Sequence, residues 1–199
     1  MSGKKTKRTS KIFRIFFTTI LGLLVFFLTY TISQSMEEKK NEEIVKEQAK
    51  QVEKEKKTKQ DVQMLLTKMK EENEKYDVYA RAYAEKWIEK DIKGVHEEAS
   101  KAYEQAKKLE NYYSTYKVPA EVPEHVLTLF EGLGSDLSVA FAVRAEAFEL
   151  VLKHLDSKDP SNLKHAEEKF TESNSYFLSG SENIDMIQTQ MGITLEKQK

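Results

Sequence analysis

The chain of 199 residues has no cysteine. Disulfides, thiolate metal sites, a cysteine nucleophile and a lipid-modified cysteine are therefore excluded. Chain breakers are scarce, with 7 Gly and 3 Pro, and no stretch alternates apolar with polar residues between turn signals, as half-buried strands require. No Asn-x-Ser/Thr acceptor occurs. A cysteine-free chain of this kind fits a bacterial surface better than a eukaryotic secreted one.

Catalytic patterns are missing too. Lys93, Val122, Val151 and Asn162 stand three residues before the four histidines, so the Glu-x-x-His pair of di-iron bundles is absent. Neither His-Glu-x-x-His nor Gly-x-Ser-x-Gly is present, which removes the common zinc-hydrolase and serine-hydrolase devices. "EGLGSD" (131–136) has the glycines of a phosphate loop, but no strand precedes it and no Lys-Ser/Thr follows. The expectation is a protein without catalytic residues, metal or cofactor.

What is present is charge, unevenly placed. Residues 1–35 carry six basic groups and no acid, while the rest carries 26 basic against 33 acidic groups. A basic end on an acidic body does not suit nucleic acid, which needs the positive charge on the folded part. From Ile15 to Ile32, 18 residues carry no charge. At about 1.5 Å each they extend roughly 27 Å, close to the ~30 Å hydrocarbon core. Secretory leaders have shorter apolar cores, of about 7–15 residues. The reading is a basic cytoplasmic tail at 1–14 and a transmembrane signal-anchor helix at 15–33, inserted with the N-terminus inside and the C-terminal domain outside. Ser33-Gln34-Ser35 also offers small residues for cleavage before Met36, which would give a secreted protein instead.

Residues 36–75 hold 11 Lys and 11 acids. Favourable i,i+4 pairs such as Glu42→Lys46 and Glu53→Lys57 predict a charged helical stalk over 34–60. Val45, Val52 and Leu66 fall on one heptad row, but Lys59 interrupts it, so at most weak homo-oligomerisation through the stalk follows.

Both rows fill from Val62 onward, and an extracytoplasmic antiparallel bundle of about four helices is expected over 61–195. The first stripe runs through Val62, Leu66, Met69, Tyr76, Tyr83 and Trp87, with Trp87 facing Ala99 and Ala102. Gly94 is expected as the C-cap, Glu97 and Glu98 as the opening turn of the second helix. "VPAEVPE" (118–124) should interrupt helix, with Pro123 starting the third. Gly132 and Gly134 predict a kink or break there, with Ser135 capping a restart. Asp159 and Pro160 open a fourth helix with a stripe of Phe170, Ser173, Phe177, Gly180, Ile184, Ile187 and Met191. The small residues in it imply close approach to a neighbour.

Seven of the nine tyrosines lie between Tyr76 and Tyr116. Tyrosine buries area at low entropy cost, so Tyr79, Tyr112, Tyr113 and Tyr116 are the candidate interaction surface. Tyr112 and Tyr113 cannot both face the seam. Arg144 falls within the apolar stripe of the third helix, as a buried ion pair or a ligand contact. Together these point to a non-enzymatic, single-pass surface protein whose bundle meets a protein or envelope component on the outer face. The alternatives are a small-molecule receptor or carrier lined by Arg144, and a toxin-immunity or inhibitor-type surface protein.

Overall fold

The computed structural model describes the backbone of residues 5–194 and the side chains of residues 28–31 and 33–194. The side chains of the expected basic tail, and most of those of the expected membrane segment 15–33, lie outside the described residues. Four helices make up the described chain: α1 (Lys5–Ile88), α2 (Ile92–Thr115), α3 (Glu124–Ser157) and α4 (Pro160–Met191). The chain divides into two units, Met1–Glu55 and Lys56–Lys199. In the first unit every described side chain is exposed. In the second the helices pack against one another as a bundle, all-helical as expected.

The α1 segment of the bundle buries Val62, Leu66, Met69 and Tyr76, a 4-3-7 spacing that keeps one face inward. The gap in that stripe is Asn73, whose Oδ1 accepts from the Tyr113 hydroxyl of α2 at 2.9 Å. That bond fixes the antiparallel register of α1 on α2. α3 is the middle of the bundle, packing on both α2 and α4, and buries 13 of its residues. Among the described residues it is also the one helix long and apolar enough to cross a membrane. Its buried apolar residues join those of α1, α2 and α4 in one core cluster. Phe141 stacks on Tyr113 at 5.7 Å and meets Tyr76 and Phe177 edge-on at 5.3 and 4.9 Å, geometries that aromatic quadrupoles favour.

Three glycine expectations are corrected. α2 is opened by Asp91, whose Oδ1 accepts from the Gly94 amide at 3.0 Å. Gly94 therefore lies inside the first turn of α2 and caps nothing. A Cβ there would sit 2.4 Å from Asp91 Oδ2, so glycine leaves space for the capping carboxylate. The left-handed residue between the helices is Lys90, at φ 57°.

α3 likewise runs unbroken through Gly132 and Gly134. A Cβ at Gly134 would lie 2.7 Å from the Tyr116 ring and 3.1 Å from the Tyr113 carbonyl; the glycine lets α2 and α3 close on each other. Gly180 has the same use on α4, against Leu137 at 2.7 Å, as its place in the stripe implied. Pro123 is the N-cap of α3, one residue before the helix begins.

The remaining ends follow local chemistry. Asp159 Oδ1 accepts from the Ser161 amide at 2.9 Å and Pro160 opens α4, as expected. At the other end Gly192 turns left-handed at φ 60° and the Ile193 amide bonds to the Gln188 carbonyl at 2.9 Å. That closure, with Ile193 tucked in, is a Schellman stop.

Candidate interaction surface

The four tyrosines separate into different environments. Tyr113 is a correction: it is 2% exposed, stacked on Phe141 and hydrogen-bonded to Asn73, and offers no surface. Burial, the leading influence, pushes its hydroxyl far above the usual tyrosine range. Tyr116 is half-buried and donates its hydroxyl to the Phe130 carbonyl, so its polar end serves the α2–α3 seam. Tyr112 keeps its ring half-exposed beneath the Lys68 ammonium, 5.7 Å from the ring centre. Tyr79 is half-buried and packs against the core. The cluster is mainly a seam between helices, with Tyr112 at its outer edge.

Arg144 is held by aromatic rings and an amide. Its guanidinium carbon lies 5.2 Å from the Phe170 ring centre and 5.3 Å from that of Phe177, both on α4. Nη2 donates to Asn174 Oδ1 at 2.6 Å. Among the described residues no carboxylate lies within ion-pair distance of it.

A different group of residues faces solvent. Trp87 is 37%, Ile88 79% and Ile92 54% exposed, all within six residues spanning the α1–α2 connection. Trp87 does not pack into the seam as its spacing suggested; α1 ends one residue later, leaving the indole at the rim, 6.0 Å from the Tyr83 ring. Beside them lies an open concavity of about 800 Å³ lined by Ile92, Lys93, His96, Ser100, Lys101 and Leu155. It is formed by the first turns of α2 and the last turn of α3. His96 Nε2 approaches Asp156 Oδ1 at 3.7 Å, which places the α1–α2 and α3–α4 connections at one end of the bundle.

Most of the charge around this end is paired internally. Lys86 meets Glu89 at 2.8 Å and Asp91 at 3.8 Å, and Lys101 meets Glu97 and Glu98, each at 2.8 Å. The hydrogen bond from Lys101 draws the Glu97 carboxyl below its ordinary range; the one to Glu89 holds Lys86 above its own. Exposed apolar side chains thus lie at an end of the bundle where several of the neighbouring charges are paired with one another.

The apolar character of residues 87, 88 and 92 was visible in the sequence. Their exposure was not, because a 3–4 stripe continuing to Trp87 gives no sign of where the helix stops. No protein family, curated protein or solved structure matches the chain.

Proposed function

We propose that this is a non-enzymatic protein, anchored in the cell membrane by residues 15–33, whose extracytoplasmic helical bundle binds another protein. Residues 34–60 act as the spacer. The reading rests on one observation above the others: Trp87, Ile88 and Ile92, all within six residues at the α1–α2 connection, stand exposed, and Ile92 lines an open concavity. Large exposed apolar side chains near one connection are costly to leave in water and are the usual anchors of interfaces. The favoured partner is a protein presenting apolar side chains of its own.

The test is site-specific photo-crosslinking in intact cells from position 88, with position 64 on the outer face of α1 as control. A discrete partner captured from 88 alone, and lost in an Ile92→Glu variant of unchanged melting temperature, is the expected result. Equal capture of bulk membrane proteins from both positions refutes the proposal. Protease added outside intact cells should remove the bundle; a bundle left untouched refutes the outward placement.

A further inference from the structure

Lysine and arginine are spread through most of the bundle but are missing from two stretches of it. Residues 118–143 and 170–196 contain neither. The fold sets these stretches side by side. Asp136 of α3 accepts from Ser179 and Asn183 of α4 at 2.6 and 3.2 Å, and a Cβ at Gly132 would lie 3.2 Å from Asn183. The first half of α3 therefore runs antiparallel against the second half of α4, and the two base-free segments meet along one seam. Their exposed residues include Glu131, Glu182 and Asp185, none of them in an ion pair among the described residues. Bases bound the region at its ends. Lys169, tied to Glu146 and Glu172, stands at one end, and Lys59 of α1 stands at the other, beside Gly192.

Between the end of α2 and α3 lies an open concavity of about 420 Å³. Tyr116, Val118, Phe130 and Val139 give it apolar walls, and Glu131 is its one charged lining residue. The Tyr116 hydroxyl is already bonded to the Phe130 carbonyl, which leaves the Glu131 carboxylate as the charged acceptor. Such a cavity suits a side chain with an apolar stem and a cationic head, as lysine and arginine have. On α4, Leu178 and Met186 are 64% and 49% exposed, with Glu182 between them in sequence. Apolar contact and unpaired negative charge are thus offered by both helices.

We infer that this α3–α4 face is a second docking surface, for a protein segment that carries lysine or arginine among aliphatic residues. One basic side chain of that segment enters the concavity and ends on the Glu131 carboxylate, its stem against Val139 and the Tyr116 ring. Further bases meet Glu182 and Asp185, while aliphatic side chains cover Leu178 and Met186. Charge complementarity selects this occupant, because nucleic acid, anionic lipid or an acidic protein would meet uncompensated carboxylates. The surface is separate from the α1–α2 connection. Glu131 lies near the start of α3, whereas Asp156, which His96 approaches at the other end of the bundle, lies in its last turn.

Selection of short random peptides on the full protein, held in nanodiscs of zwitterionic lipid, tests this. The protein carries Ile92→Glu, so that binding at the α1–α2 connection does not compete and the two surfaces fail or succeed separately. The expected winners have net positive charge, with Lys or Arg next to aliphatic residues. A winner fitted with a photo-crosslinker should mark residues within 131–139 and 178–186. Adding Glu131→Gln, an exposed change with unchanged melting temperature, should weaken that peptide about tenfold, as loss of a charged hydrogen-bond partner implies. Adding Glu149→Gln instead, at a carboxylate that pairs with Lys153 at 2.7 Å, should leave its affinity unchanged. No winners, winners without basic residues, crosslinks elsewhere on the bundle, or an affinity indifferent to Glu131→Gln each overturn the proposal. Arginine amide that binds as tightly as the peptide overturns the protein occupant in favour of a small cation.

Discussion

Two stretches of α1 are built from similar residues but live in different surroundings. From Ser33 to Lys57 its described side chains are exposed, Val45 and Val52 at 63% and 65%. From Thr58 onward one face turns inward, and Val62, Leu66 and Met69 are no more than 2% exposed. In the first stretch the helix rests on local interactions such as Glu42–Lys46 at 3.9 Å, whose side chains are 74% and 72% exposed; such pairs contribute a few tenths of a kcal/mol each. In the second stretch tertiary packing dominates. The same secondary structure therefore carries very different sensitivities to substitution.

The contrast is sharpest in a pair of aliphatic truncations. Leu66→Ala removes a buried side chain and should cost about 2–5 kcal/mol, read as a large fall in melting temperature. Alkali should separate the two stretches next. Burial raises the Tyr76 hydroxyl from 10.0 to about 12, and burial together with the Glu167 charge does the same for Tyr83. A folded-state value above the unfolded one means that the stability these groups contribute is complete below pH 10 and is lost as pH rises towards 12. A pH titration followed by circular dichroism should show cooperative loss of the bundle in that window; Tyr76→Phe should move its onset upward. The smallest effect is Val52→Ala, which touches no core and should change stability by less than about 0.5 kcal/mol. A large destabilisation there would mean that the exposed stretch is covered by a partner.

Much of the fold was legible because it depends on neighbours in sequence. The Asp159–Pro160 start needs only a carboxylate and a fixed φ two residues from the amides it serves. The α4 stripe is readable from its 3–4 spacing. The roles of Gly94, Gly132 and Gly134 are not legible in the sequence because a glycine can serve either as a left-handed cap or as a close-approach position. Only knowledge of what lies opposite decides, and at Gly134 that is the Tyr116 ring, 18 residues away in sequence. Tyr113 was decidable: it follows Leu109 by four and Ala106 by seven, both buried, whereas Tyr112 falls off that line. The end of α1 was harder. A left-handed Lys90 carries no glycine or asparagine marker, so the sequence offers no reason for the helix to stop beside Ile88, and the exposed group at 87, 88 and 92 could not be separated from the stripe before it.

The apolarity of α3 has a consequence for biosynthesis. Under the proposed topology the nascent chain passes through a protein-conducting channel with a side gate to lipid, and α3 is the described segment able to leave by that gate. An arginine near the middle of such a segment opposes lateral escape by about 2.5–3.5 kcal/mol. Arg144 lies 20 residues after Glu124 and 13 before Ser157. The charge that interrupts the most apolar helix of the bundle therefore favours its delivery to the far side of the membrane, before any partner helix is there to cover it.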